Sequence, residues 1–366
     1  MMCMTSADAL AQSTNKIRTE VIAQGLDHPW AVAFIDSNRM LVTERSGNMR
    51  IVQAGAALSA PLTGLPKIEV GGQGGLLDVI TDSRFADNRT IYFCYSEEAN
   101  NRTGGSGNST ALASARLSND LKKLEQVKVL FSQQPKFASR AHFGCRIVEN
   151  SDGTLFLTLG DRFSRMQDVQ TLDNHHGKVI RIRKDGSVPP DNPYVGTAGA
   201  LPDIWSIGHR NSQGATLGPD GRLWMHEHGP QGGDEINRPQ AGKNYGWPVI
   251  TYGENYGGGK IGAGLSAKAG MEQPLYQWTP SIAPSGMAFL HSDKYGKAWQ
   301  GNLFVGSLKF RYLARLEIKD GKVVQEERLL PDLEQRVRDV REGPDGLLYI
   351  VTDEARGQLL RLVPAR

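Results

Sequence analysis

Several common signatures are missing from this sequence. Three cysteines in 366 residues are too few for a disulfide scaffold. No Cys-x-x-Cys-His run is present to attach a haem. No apolar stretch approaches the roughly 20 residues that a membrane helix requires. Lysine and arginine are scattered, and a net charge of +3 is too small to mark a nucleic-acid binder. Helical periodicity is nearly absent. The best helical candidate, Leu329 to Arg338, is short and interrupted by Pro331.

Turn-formers, by contrast, are plentiful: 42 Gly and 18 Pro suit tight turns between short strands. One unit recurs, a turn with Asp-Gly or Asn leading into apolar residues. Asp152-Gly153 precedes Leu155 to Leu159, Asp220-Gly221 precedes Leu223 to Met225, and Asp345-Gly346 precedes Leu347 to Val351. Looser copies begin at Asn38, Asn88 and Gly301. Six copies at irregular spacings of roughly 45 to 80 residues predict an all-β fold, a six-bladed β-propeller of four-stranded antiparallel blades. A single blade cannot bury both of its faces, and stacking blades in a ring covers them. A sandwich or barrel would not explain the repeated unit. The run Arg18 to Ala23 is expected to close the ring beside Gln358 to Leu362.

The propeller is expected to span residues 18–366, after a tail of residues 1–17. Ala7 to Gln12 reads either as the small-residue end of a secretory signal or as plain disordered tail. Cys3 lies in that tail. Cys94 and Cys145 sit in strand-like contexts. They are either buried free thiols, the commoner outcome, or a bonded pair if their strands adjoin.

Several polar, glycine-rich segments stand out as candidate chemistry. The loop Gly71-Gly72-Gln73-Gly74-Gly75 lets backbone approach a ligand. His142 precedes one strand-like run and Asp161 follows the next, a base with its orienter at one rim. Arg210 and Asn211 offer adjacent donors. His226 and His228 share a strand face, as in zinc sites, but no third ligand follows at a familiar spacing. Gly229-Pro230 leaves carbonyls exposed in a tight turn, which suits calcium. Lys309 follows a short strand. Arg336 and Arg338 project from one strand face, and an anion between them explains the pairing. Four cations, Arg210, Lys309, Arg336 and Arg338, near strand ends of different blades predict one mouth that receives a polyanion.

From Gly25 to Leu362 the chain resembles the soluble pyrroloquinoline quinone (PQQ)-dependent aldose sugar dehydrogenases of the glucose/sorbosone dehydrogenase family. The residues that carry the likeness are His142-Phe143-Gly144, Gly160-Asp161, Gly208 to Asn211 and His226 to Pro230. Gly242 to Pro248, Trp278 to Gly286 and Arg336 to Val340 add to it. The resemblance implies oxidation of aldoses at the anomeric carbon to lactones, with electrons passed to an external acceptor. It makes His142 the general base, Asp161 its orienter, and Gln73 and Arg210, with Asn211 beside them, the partners of the quinone oxygens. Lys309, Arg336 and Arg338 would bind the PQQ carboxylates. The carbonyls of Gly229 and Pro230 would hold a calcium ion, and Tyr252 and Glu254 a second one. Short loops around Gly257 to Gly264 point to a broad aldose range, and the likeness favours a periplasmic or secreted protein. A calcium-dependent sugar lactonase and a non-catalytic binding propeller are the competing readings.

Overall fold

The six turn-and-strand units occupy equivalent places in six antiparallel sheets of a computed structural model, which describes residues 17–99 and 106–365. In chain order the strands are β1 (Ile17–Leu26), β2 (Pro29–Phe34), β3 (Arg39–Glu44), β4 (Asn48–Gln53), β5 (Leu76–Thr81), β6 (Thr90–Glu98), β7 (Asn108–Leu117) and β8 (Leu124–Ser132). There follow β9 (Gly144–Glu149), β10 (Thr154–Leu159), β11 (Lys178–Arg183), β12 (Ile204–Ile207), β13 (Ser212–Leu217), β14 (Leu223–Glu227), β15 (Asp234–Asn237) and β16 (Tyr276–Trp278). The last are β17 (Pro284–Phe289), β18 (Leu303–Ser307), β19 (Leu313–Lys319), β20 (Lys322–Leu329), β21 (Val337–Glu342), β22 (Leu348–Thr352) and β23 (Gly357–Pro364).

The first strands of the blades, β2, β5, β9, β13, β17 and β21, each pack against the next and close a ring, with β21 against β2. The recurring unit is always the second strand: β3, β6, β10, β14, β18 and β22. Such strands lie inside the stack and are covered on both faces, so they read as continuous apolar runs. β10 and β17 are buried at every residue, whereas outer β20 is mostly exposed or half-buried. As expected, β1 pairs antiparallel with β23, from Ile17 opposite Pro364 to Leu26 opposite Gly357, and joins the two ends of the chain in one blade.

One expectation needs correction, and two open points are decided. One blade, β2-β3-β4, has three strands, not four. The chain that follows β4 contains Pro61 and Pro66, which have no N–H to give to a ladder. No helix forms over 329–338: Leu329 ends β20 and Val337 begins β21, with Leu330 and Glu334 at positive φ between them. Cys94 and Cys145 are bonded, with Cα atoms 5.8 Å apart, because β6 of one blade packs on β9 of the next. The expected tail, Cys3 included, falls on residues 1–16, outside the described residues, apart from Ile17 in β1.

Near the axis, Arg146 of β9 and Arg341 of β21 share two carboxylates. Arg146 lies 3.1 Å from Asp78 and 2.9 Å from Asp339, and Arg341 lies 2.8 Å and 3.1 Å from the same pair. Arg146, Asp78 and Asp339 are buried and Arg341 is half-buried, and each charge has two opposite neighbours, the condition under which buried ions persist. Trp30 of β2 lies against this network, with the Arg146 guanidinium 4.2 Å from its ring.

Candidate active site

One end of the ring is where first strands begin and second strands end. Gln73, His142, Asn211 and Ala283 lie just before first strands, and Arg336 and Arg338 flank the first residue of β21. Arg45, Asp161, His228, Lys309 and Asp353 lie just after second strands. Both sets therefore reach the same mouth, where a cleft of about 1010 Å³ opens. Gln73, Asn211, Gly229, Pro230, Tyr252, Glu254, Lys309, Arg336 and Arg338 all line it. His142 and Arg210 flank it: the Gln73 Oε1 accepts from the His142 amide at 2.7 Å, and the Arg210 Nη1 donates to the His228 and Gly229 carbonyls at 3.1 and 2.8 Å.

The local backbone explains how His142 comes to lie there. His142, Gly144 and Cys145 all have positive φ, so the chain bends sharply as it enters β9. A Cβ at Gly144 would stand 2.6 Å from the Thr158 carbonyl, and one at Gly160 would overlap the His142 carbonyl. Only glycine at both positions lets the histidine hairpin against the end of β10. There His142 Nδ1 meets Asp161 Oδ1 at 2.6 Å. An ionised carboxylate only accepts, so Nδ1 carries the hydrogen and Nε2 keeps its lone pair.

Electrostatics favour that state. Burial pushes the His142 imidazole below its ordinary value, against the opposing pull of Asp161 and with the help of the Arg210 and Arg162 charges. Burial alone would raise Asp161, but its bond to His142, the nearby Arg210 charge and the Phe163 amide hold it below the usual range. The pair is thus a neutral base beside an ionised orienter near neutral pH.

The cleft lining is also strongly cationic. Arg45, Lys309, Arg311, Arg336 and Arg338 belong to it, with the carboxylates of Glu254 and Asp353. Asp353 lies 2.6 Å from Arg338, 3.5 Å from Arg336 and 3.8 Å from Arg45. Burial opposes its charge, but these arginines hold its carboxyl well below the usual range. The Nε atoms of Arg45, Arg210 and Arg338 are buried with no partner among the described residues. Orphaned charged donors on a cationic wall fit a polyanion bearing several carboxylates.

The metal expectations meet a leaner donor set. Gly229 and Pro230 line the cleft, and the Gly229 carbonyl already accepts from Arg210. A carbonyl has a second lone pair, so both can still ligate a hard cation. Calcium takes six to eight oxygens, so these two suffice only beside an anionic ligand and water. Tyr252 and Glu254 are exposed at the mouth, where the Glu254 backbone pairs with Gln231. Among the described residues no three His, Cys, Asp or Glu side chains group as a metal cluster. His226 and His228 spend Nε2 on the carbonyls of Ser285 and Pro284, the second at 2.5 Å.

A family profile described as Glucose / Sorbosone dehydrogenase matches residues 26–361. The chain belongs to the glucose/sorbosone dehydrogenase family. It is 46% identical to aldose sugar dehydrogenase YliI of Escherichia coli (strain K12), over 100% of this chain and 97% of that protein. The crystal structure of the soluble aldose sugar dehydrogenase from Escherichia coli, in its apo form, superposes with a TM-score of 0.91 at 45% identity, covering 95% of this chain and 100% of that one. The PQQ-bound aldose sugar dehydrogenase from Streptomyces coelicolor does so at 0.76 and 25%, covering 95% and 98%.

In this family member the cleft is also lined by residues that the motifs did not single out: Trp30, Arg45 and Asp353. Arg45 and Asp353 follow second strands, as Asp161 and His228 do, so applying that rule to every blade would have found them. Trp30 carries no such signal, since a tryptophan opening an apolar strand reads as core.

Proposed function

We propose that this protein oxidises aldoses at the anomeric carbon to lactones, using PQQ and calcium in the cleft described above. One observation carries the proposal: a single mouth brings together an imidazole held below its ordinary value, guanidinium donors without partners among the described residues and the Gly229-Pro230 turn, in a chain of this family. When bound, the calcium-polarised quinone supplies the acceptor for the anomeric hydride.

The chain's own residues do the rest. His142 Nε2 takes the proton of the anomeric hydroxyl, and Asp161 steadies the imidazolium that results. Arg210, Gln73 and Asn211 supply hydrogen bonds to the quinone oxygens. Lys309, Arg336 and Arg338 would bind the PQQ carboxylates and so hold the cofactor in the cleft. Gly229 and Pro230 contribute carbonyls to the calcium. A second calcium at Tyr252 and Glu254 belongs to the same proposal, with Glu254 its one carboxylate. The electrons leave to an external acceptor. The Cys94–Cys145 disulfide supports a periplasmic or secreted location, because such bonds persist in oxidising compartments.

The test is reconstitution with calcium, PQQ, an aldose and a dye acceptor. Dye reduction that requires both PQQ and calcium is the expected result. Hydrolysis of sugar lactones without dye reduction would replace this reading with a lactonase, and failure to bind PQQ would leave a binding propeller.

A further inference from the structure

We propose that Trp247 is a positioning residue for the base: its indole N–H fixes the second oxygen of Asp161 and so holds the His142 imidazole in one orientation beside the cleft. The inference rests on the reading of His142 as proton acceptor and adds a member to that machinery. Asp161 Oδ1 receives the His142 Nδ1–H at 2.6 Å and the Phe163 amide at 2.8 Å. Oδ2 receives the Trp247 Nε1–H at 2.8 Å. A carboxylate held at one oxygen can swing about its terminal torsion, which is broad and weakly restrained. Held at both oxygens it has one orientation, and the imidazole bonded to it inherits that orientation.

The contact is not incidental packing between chain neighbours. Trp247 is 86 residues from Asp161 in sequence, in the long connection between β15 and β16, whereas Asp161 follows β10 of another blade. Trp247 is itself fastened: its amide donates to the Gly208 carbonyl at 3.0 Å, and its carbonyl accepts from Gln170 at 2.7 Å. It is buried with Val169 and Ile261. Its ring also lies 5.2 Å from the Arg210 guanidinium, and the Arg210 carbonyl accepts the Asp161 amide at 2.9 Å. One indole thus braces the orienter of the base and flanks the arginine assigned to the quinone. A buried indole N–H needs some acceptor, and here the acceptor is the second oxygen of the carboxylate whose first oxygen holds His142.

The test uses protein reconstituted with calcium and PQQ, and compares wild type, W247F, D161N and the double variant. Phenylalanine keeps an aromatic ring against Arg210 and removes the N–H. The expected W247F result is a kcat lower by about 10- to 100-fold, the usual loss for a group acting through another. The PQQ Kd and the sugar KM are expected to stay within about twofold. In the D161N background the same substitution is expected to cost less than about twofold more, because the amide keeps a single acceptor oxygen, which the His142 and Phe163 N–H groups claim. In the apo protein, the 15N-indole resonance that disappears in W247F is expected to shift in D161N, which reads the bond without any turnover. A W247F kcat within twofold of wild type would overturn the inference. So would an equal loss in the D161N background, or a loss of PQQ binding that accompanies the loss of rate. Should W247F not fold, benzothienylalanine at 247, which replaces N–H by sulfur in the same shape, carries the same comparison. Wild type that binds PQQ yet reduces no dye would overturn the proposed function itself, and that is read separately from any effect at Trp247.

Discussion

In the proposed mechanism His142 works as a neutral base, and two consequences follow at the level of the side chain. His142→Ala removes the proton acceptor but none of the carboxylate-binding cations, so turnover should fall by roughly two to four orders of magnitude with PQQ still bound. Steady-state kinetics beside a PQQ titration read both quantities, and unchanged turnover would remove His142 from the mechanism. The imidazole is held below its ordinary value of 6.5 by burial, and by Arg210 and Arg162, against Asp161. A base with a lowered value stays competent until the pH falls through that value. The acid limb of kcat/KM should therefore lie below pH 6.5, with a plateau above it. A limb above that pH would mean the pull of Asp161 outweighs burial. His142 and Asp161 were legible in the sequence because each flanks an apolar run and brings polar chemistry to a strand end. Trp247 sat in a recognisable motif, but its bond crosses 86 residues, and no spacing rule reports that.

The blade is the element through which the sequence speaks most clearly. Its second strand announces itself because a turn signal precedes a continuous apolar run, and the end of that strand delivers a residue to the cleft in blade after blade. The missing fourth strand of the β2-β3-β4 blade was harder to foresee, since the prolines that prevent it also occur in ordinary connections. The disulfide was left open for a different reason. Cys94 and Cys145 are 51 residues apart and meet only because adjacent blades pack β6 on β9. Their bond ties the second strand of one blade to the first strand of the next, three residues after His142. Replacing both by alanine should lower unfolding free energy by about 2–4 kcal/mol, measured by guanidinium denaturation without reductant. An unchanged midpoint would mean the ring is held at this seam by packing alone.

Across the whole molecule, the central feature is a charge imbalance at one mouth of the ring. Asp353 holds Arg338, Arg336 and Arg45 in an array that still leaves guanidinium donors unspent. Arg336→Ala with Arg338→Ala should weaken PQQ binding before it affects the sugar. Adding Asp353→Asn avoids stranding a buried carboxylate, so loss of affinity in the triple variant reads the cofactor contact and not misfolding. PQQ at about 100- to 1,000-fold its Kd should stabilise wild type by about 3 to 4 kcal/mol, visible as a raised melting temperature.

The most direct measurement is a crystal structure of the protein grown with calcium and PQQ. It should show the quinone oxygens facing His142 Nε2 and Arg210, calcium on the Gly229 and Pro230 carbonyls, and carboxylates on Lys309, Arg336 and Arg338. A cofactor bound at the opposite mouth, or turned with its carboxylates toward His142, would contradict the assignment.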